Sequence, residues 1–479
     1  MTQQIFVDRK NELSLLKNEF EKKAPSFFVL YGRRRVGKTE LLLKFLEGKT
    51  GIYFLSTTEG DKSNINAFQE KASEIFGEYI KNIEINDWYN LFKVLIENAK
   101  FKEITKQEKF VIIFDEFSYL ILGNKNIPSI FQKIWDEILS KENVMLILCG
   151  SVLSIMENKV LGYKSPLYGR RTAQLELQPL EFKYLCEFFP NYSIEDLSKV
   201  WFILGGIPAY LLKFDKNLPL WENVERNILH KESYLYKEAD FLLVQEFREP
   251  KNYKIILKAI SMGNHTLGEI CNFTGLDKSM VSKYLDVLSN LKLIREIIPV
   301  TASQKYKRRL YVITDPYFNF WFRFVYPNLI DLEAERYETV LSKIKSEFNQ
   351  YSGYMFEYLV EELIRKRYFF RNFSFTKIGK EWGKIPKTRD VYEIDVVALN
   401  EQTKEILFVE CKWKDNVNPE EIMINLIEKS KYVKWSIEKR KEHYAIFAKS
   451  FSRKINEYKG YKVYCIDLKD LEKLCLGNS

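Results

Sequence analysis

Two groups of residues in this 479-residue chain have the types and spacing to handle phosphate. The first is Gly32, Arg33, Arg34, Arg35, Val36, Gly37, Lys38 and Thr39. Two glycines bracketing four residues let a backbone loop wrap a β-phosphate with its N–H groups. Lys38 would neutralise the β and γ oxygens, and Thr39 would offer a hydroxyl to Mg²⁺. A second motif, the apolar run Val111–Phe114, ends in two carboxylates, Asp115 and Glu116. Asp115 would hold Mg²⁺, directly or through water, and Glu116 would orient and polarise the water that attacks in line. Ser151 would set a hydroxyl beside the γ-phosphate or that water. Arg170 and Arg171 could stabilise charge on the transferred phosphoryl group, in cis or across a subunit boundary of a homo-oligomer; surface arginines ahead of a strand are an equally good reading of the pair.

The second group is Asp395, Glu410 and Lys412, with Glu357 upstream. Residues two apart in a strand share a face, so Glu410 and Lys412 project together, and a hairpin can bring Asp395 beside them. Asp395 and Glu410 would then form a hard-oxygen site for Mg²⁺ that polarises a phosphodiester. Lys412 would position or help deprotonate the attacking water, and Glu357, on an amphipathic helix from Gly353 to Arg367, could add a carboxylate. The alternative for Glu410 and Lys412 is a same-face ion pair, but apolar Phe408, Val409 and Trp413 point to a buried strand, where a carboxylate needs a partner or a metal.

These groups need elements to hold them. The apolar run Phe27–Tyr31 predicts a strand before the first loop, and Glu40–Leu46 the helix whose positive end faces the anion. Val111–Phe114 and Val144–Cys149 read as buried parallel strands, whose carboxyl ends carry ligand groups. Strands and helices alternate from residue 25 to about 177, which predicts a parallel sheet with helices on its faces. Residues 181 to 246 turn helical and aromatic, with Phe182, Tyr184, Leu185, Phe188 and Phe189 assigned to packing in a lid over the nucleotide.

Residues 251 to 313 predict a winged helix: three helices, a turn at Gly275, and a hairpin of Leu293–Ile298 with Leu310–Ile313. Lys278, Ser279, Ser282 and Lys283 are recognition-helix candidates, and Lys305, Lys307, Arg308 and Arg309 make the wing basic. Such a unit contacts DNA phosphates and a major groove, or serves as a rigid protein-contact module. Asp315–Trp321 begins a buried aromatic connector, and residues 331 to 347 a charged helical linker. Val391–Leu399 and Ile406–Trp413 read as strands, followed by a helix from Pro419 to Lys434 and strands Tyr444–Ala448 and Tyr461–Ile466.

Composition bounds the rest. The length suggests three or four units, and 46% hydrophobic residues make the chain globular nearly throughout. A net charge of +9 is too modest to argue nucleic-acid binding by itself. Six scattered cysteines and three isolated histidines argue against a disulfide framework and Cys/His metal chemistry. A reducing cytoplasm fits, and no apolar run is long enough to span a bilayer, so no membrane partner is expected.

The phosphate loop and acidic strand resemble the archaeal-type ATPases of the AAA+/STAND superclass of P-loop NTPases. Phe6–Leu13 looks like that family's leading box near the adenine, and Gly205–Tyr210 is similar to its GxP element. The resemblance implies ATP and Mg²⁺ as cofactors, Ser151 as the polar sensor and Arg170 as the arginine acting on the γ-phosphate. The last third resembles the PD-(D/E)xK nuclease superfamily and the nuclease-like DUF234-type domain that follows such ATPases. By that resemblance Asp395, Glu410 and Lys412 match the core positions and Glu357 the helix acid; Ile394 stands where the pattern has proline.

The expected architecture is α/β: an ATPase core over residues 1–178, a helical lid over 179–248, a winged helix and connector over 249–330, a helical linker over 331–349 and a nuclease-like domain over 350–479. The expected function is ATP-dependent action on nucleic acid, DNA in the first instance, with nucleotide state gating a Mg²⁺-dependent nuclease. The competing expectation is an ATP-dependent regulator or scaffold whose winged helix binds DNA or protein and whose last domain is catalytically silent.

Overall fold

The structure is a computed structural model that describes residues 6–247, 249–303, 305–388 and 390–477. It divides into two compact units, residues 1–180 with 207–209, and residues 181–206 with 210–479.

The first unit is built on five parallel strands: β1 (Ser26–Tyr31), β2 (Gly51–Leu55), β3 (Phe110–Asp115), β4 (Val144–Gly150) and β5 (Ala173–Glu176). Their order across the sheet is β2-β3-β4-β1-β5. β1, β3 and β4 are buried along their whole length, which is why they read as unbroken apolar runs: helices cover both faces. On one face Phe114 packs among Phe54, Phe68, Trp88, Phe92, Phe117 and Phe131, with ring centroids 5.0–6.3 Å apart. On the other, Phe28, Leu30, Val111, Ile113, Met145 and Ile147 pack against Leu41, Leu42 and Phe45 of the helix Lys38–Leu46. Gly32 follows β1 with φ 150°, and a Cβ there would lie 2.5 Å from the Leu177 carbonyl oxygen. Only glycine lets the chain leave the sheet so close to its neighbour.

The second unit begins with the segment expected as a lid. Its helix Ile194–Leu204 packs on the helices Pro316–Phe320, Tyr337–Arg365 and Leu468–Cys475 of the same unit. The winged helix has three helices, Lys251–Ser261, Leu267–Thr274 and Lys278–Asn290, and an antiparallel hairpin of β6 (Ile294–Ile297) and β7 (Leu310–Ile313). A reciprocal Thr266–Glu269 capping box starts the second helix. Val281, Leu285 and Leu288 supply the buried stripe of the third.

The last sheet has six strands: β8 (Lys377–Lys384), β9 (Val391–Leu399), β10 (Glu405–Lys412), β11 (Lys441–Ala448), β12 (Glu457–Tyr458) and β13 (Tyr461–Ile466), in the order β12-β13-β11-β10-β9-β8. The helix Tyr337–Arg365 packs on β8, β9 and β10, and the helix Pro419–Ser430 on β9, β10 and β11. Two expectations change here. Tyr337–Arg365 is one unbroken helix of 29 residues, so the linker and the Glu357 helix, expected to part at 349/350, are a single element whose buried side chains continue from Val340 to Ile364. The register of β9 also slips: Glu381 pairs with Ile394 but Gly379 with Val397, so β9 spends one extra residue at Asp395–Val396. Such a bulge re-aims a side chain.

Phe114→Ala should remove the centre of the aromatic cluster and lower stability by about 3–5 kcal/mol. The measurement is the denaturant midpoint, and an unchanged midpoint would contradict this packing.

Candidate nucleotide site and carboxylate centre

In the first unit β4 lies between β1 and β3, so the loop after β1, the acids ending β3 and Ser151 after β4 come to one edge. The structure brings Lys38, Thr39, Asp115, Glu116 and Ser151 together there. Thr39 Oγ1 donates to Asp115 Oδ2 at 2.7 Å, and the backbone N–H of Glu116 donates to Asp115 Oδ1 at 2.9 Å. Lys38 is 6% exposed, and its Nζ donates to the carbonyls of Gly32 at 3.0 Å and Arg33 at 2.8 Å. Burial pulls its pKa below the ordinary lysine value, opposed by the charges of Glu116 and Asp115. Glu116 sits in the left-handed region, φ 51°, and its Oε2 accepts from Ser151 Oγ at 2.7 Å and Ser151 N at 3.2 Å.

The donor set fits a magnesium polyphosphate. Lys38 has three ammonium protons and two carbonyl partners, Arg34 Nε is a buried donor without a partner, and Gly37 has open space where a Cβ would stand. A hydroxyl and a carboxylate 2.7 Å apart are hard-oxygen donors suited to Mg²⁺. Arg35, at φ 72°, and Gly37, at φ 92°, give the loop its curvature between Arg33 and Thr39.

Two further residues take part in this site through partners that the sequence did not indicate. Tyr53 of β2 donates to Asp115 Oδ2 at 2.8 Å, and burial beside that carboxylate raises its pKa. Arg9, from the segment expected near the adenine, braces the loop, its Nη2 donating to Val36 O at 3.0 Å and Gln178 O at 2.8 Å. Neither has a local signal, because each acts across the fold.

Arg170 requires a correction as a residue acting in cis. It grips Asp136 through Nε and Nη2 at 2.8 Å each. It also precedes β5, whose Ala173 pairs with Phe28, and the N–H of Thr172 donates to Phe27 O at 2.7 Å. That is the amino end of the parallel sheet. Gly32 lies five residues further along β1, roughly 16 Å away at the rise of a strand.

The second unit brings Asp395, Glu357, Glu410 and Lys412 into one electrostatic group. Glu357, Asp395 and Glu393 each place a carboxylate oxygen within 4.8 Å of one another. Glu410 instead accepts from Lys412 Nζ at 2.7 Å and from Lys429 Nζ at 3.0 Å at both oxygens. The bulge explains the split: the extra residue turns Asp395 toward the Glu357 helix, while Glu410 stays with Lys429 of the helix Pro419–Ser430. Asp395 Oδ2 accepts from Cys411 N at 2.8 Å. Burial, with the charges of Glu357 and Glu410, pushes the Asp395 carboxyl up to about 8. Burial also raises Glu357, opposed by Lys380.

Lys380 of β8 spans the cluster, 2.9 Å from Glu357 Oε2 and 2.5 Å from Glu393 Oε1. Three carboxylates are hard-oxygen donors that suit a divalent cation, with Lys380 supplying the counter-charge now and needing to swing aside for one. Glu393 had a signal, lying two residues before Asp395 on one strand; Lys380 and Lys429 had none.

The winged-helix hairpin covers this centre. Arg295 of β6 binds Glu361 Oε2 at 2.8 Å and Oε1 at 3.1 Å. The N–H of Val300 donates to Lys380 O at 3.0 Å, and Thr301 donates to Glu381 at 3.0 Å. A cavity of about 50 Å³ remains, lined by His265, Arg295, Tyr354, Glu357, Lys380 and Asp395 among others.

Residues 6–214 match the family of ATPase domains found predominantly in Archaea, and residues 321–424 match DUF234, archaeal and bacterial proteins of unknown function. An uncharacterized protein of Methanocaldococcus jannaschii is 40% identical over 458 residues, 94% of this chain and 97% of the relative. An uncharacterized ATP-binding protein of that organism is 51% identical over 45 residues, 9% of this chain and 76% of the relative. Among solved structures, the Walker-type ATPase of Pyrococcus abyssi has a TM-score of 0.49 at 22% identity, covering 66% of this chain and 96% of its own. The Aeropyrum pernix ORC2 protein has 0.46 at 15%, covering 71% and 95%. No helix among the described residues is long and apolar enough to cross a membrane.

The folded chain keeps a proton on Asp395 that an unfolded chain, titrating near 3.8, has lost. Stability from this group is therefore full below about pH 4 and falls as pH rises toward 8. Asp395→Asn should flatten that decline in thermal melts taken across the window; the same slope in both proteins would contradict the buried, protonated carboxyl.

Proposed function

This chain belongs to the archaeal-type ATPases that carry a carboxy-terminal DUF234 domain, and from that premise we propose that it binds and hydrolyses ATP in its first unit and acts on nucleic acid through its second. The observation that carries the first half is the meeting of Lys38, Thr39 and Asp115 at one sheet edge, with Thr39 2.7 Å from Asp115. The loop's N–H groups and the third proton of Lys38 would take the β- and γ-phosphates. Mg²⁺, held by Thr39 and Asp115, supplies charge neutralisation when bound. Glu116, once it leaves Ser151, is the carboxylate that orients water, and Ser151 is then the hydroxyl free to face the γ-phosphate. Arg170, at the far end of its own sheet, serves a neighbouring copy in a homo-oligomer.

The nucleic-acid step is assigned to Asp395, Glu357 and Glu410 with Lys412, joined by Glu393. A divalent cation at these carboxylates would supply polarisation of a phosphodiester. Lys412 would orient the attacking water, and Lys380 would release the carboxylates that it now pairs. The hairpin β6–β7 must lift before a strand can reach them, and nucleotide state in the first unit is the proposed trigger. The winged helix, through Lys278, Lys283 and the wing, would hold DNA phosphates. The regulator reading has one observation in its favour: two lysines already neutralise Glu410, as in a structural ion-pair network.

Lys38→Ala should abolish ATP turnover, and Glu116→Gln should retain ATP binding while slowing turnover roughly 10²–10⁴-fold. Retained turnover in Lys38→Ala would remove the assignment.

The second centre is read by Mg²⁺-dependent DNA cleavage with and without ATP. Cleavage should be lost in Asp395→Ala and should rise in Arg295→Ala, which frees the hairpin. Cleavage indifferent to Asp395→Ala defeats the site, rates indifferent to ATP defeat the gating, and no cleavage with any divalent metal favours the regulator.

A further inference from the structure

A larger concavity lies at the other end of the last sheet. Its volume is about 910 Å³, within the range of roughly 300–1,000 Å³ typical of ligand sites. The floor is formed by Leu407 of β10, His443 of β11 and Tyr464 of β13, which the registers Leu407↔His443 and Ala445↔Tyr464 place on one face. One wall is the turn after the long helix, including Phe370 and Arg371; the opposite wall includes Lys454 and Lys473. Glu410 and Lys412 sit toward the other end of β10 from the Glu405 and Leu407 that line it.

Three observations describe what it would hold. The first is aromatic: Tyr464 is half-buried and meets Phe370 edge-on, centroids 5.0 Å apart. Phe370 lies at φ 59°, a left-handed conformation that is costly for a bulky side chain and clusters at ligand sites.

The second is charge. Arg371, Lys454, Lys462 and Lys473 line the cavity against Glu405 and Asp470, four cations to two acids. Lys454 and Lys473 pair with Asp470. Lys462 lies over the Tyr464 ring at 5.0 Å, and among the described residues neither it nor Arg371 pairs with a carboxylate.

The third is a buried polar group left over. The His443 side chain is 12% exposed, and burial holds its pKa below the ordinary histidine value. Nε2 is buried 3.4 Å from Glu405 Oε1, and Nδ1 is buried without a hydrogen-bond partner. An unsatisfied buried polar atom is costly and calls for a partner.

We propose that this cavity binds a nucleobase together with its phosphate: the base stacks on Tyr464, its polar edge meets His443, and the phosphate sits between Arg371 and Lys462. Aromatic platforms flanked by cations take bases in this way without reading their sequence. The base and phosphate come either from a free mononucleotide or from an unpaired strand. The inference does not depend on whether the carboxylate centre cleaves, since binding alone is read.

The test uses full-length Lys38→Ala protein, which silences the first nucleotide site, titrated calorimetrically with AMP and separately with a short oligothymidylate. At least one probe should bind saturably, with affinity weakened about tenfold or more by Tyr464→Ala and kept by Tyr464→Phe. The double variant Arg371→Glu, Lys462→Glu changes exposed side chains only and should weaken binding as much. Binding of AMP identifies a free nucleotide as the source; binding of the oligomer alone identifies a strand. No saturable binding of either probe, or undiminished affinity in the double variant, overturns the proposal.

Discussion

A carboxylate taken out of water must find a proton, a cation or hydrogen-bond donors, and both centres of this chain are organised by that constraint. Asp115, 1% exposed at the end of β3, is satisfied by Thr39, Tyr53 and the N–H of Glu116. These partners come from the phosphate-loop helix, from β2 and from the turn itself, so the demand of one acid ties three elements to the sheet edge. In the second unit the same demand is met three ways. Asp395 is held toward its protonated form, Glu357 shares Lys380 with Glu393, and Glu410 takes two lysines.

The second solution also explains why the winged helix and the last sheet form one body. Arg295 and Glu361 are a pair that neither could afford alone: burial would lower Arg295, and the Glu361 charge more than offsets it, while burial would raise Glu361 and Arg295 holds it down. Thr301 satisfies Glu381, which is 2% exposed on β8. The lid segment joins the same body through Phe202, whose ring meets Trp413 at 5.1 Å and whose carbonyl accepts from Tyr351 at 2.9 Å. Covering the carboxylates and stabilising the unit are thus one set of contacts, and any opening of the centre has to replace them.

Much of the α/β architecture is legible in the sequence. β1, β3 and β4 are apolar from end to end because they are buried on both faces, and that pattern survives in one dimension. The Glu410–Lys412 pairing was also legible, since period-two spacing puts both on one face, and they meet at 2.7 Å. That Glu357 and Glu393 gather round Asp395 was not legible, because that reasoning assumes an uninterrupted strand. One extra residue at Asp395–Val396 breaks the alternation, and nothing in Val391–Leu399 announces it. The linker boundary failed for a related reason: charged residues between 337 and 349 mark the solvent face of a helix that keeps burying the other.

What this sequence determined by itself was local: which segments are strands or helices, where the phosphate loop turns, and which acids stand at strand ends. Those properties depend on backbone geometry and side-chain period over a few residues. Tertiary structure alone decided that Arg9 braces Val36, that Tyr53 shares Asp115, that Arg170 grips Asp136, and that Lys380 and Lys429 divide the carboxylates between them. Each of these is a choice of partner between distant residues, set by strand order and register and by the need to neutralise buried charge once the chain has closed on itself.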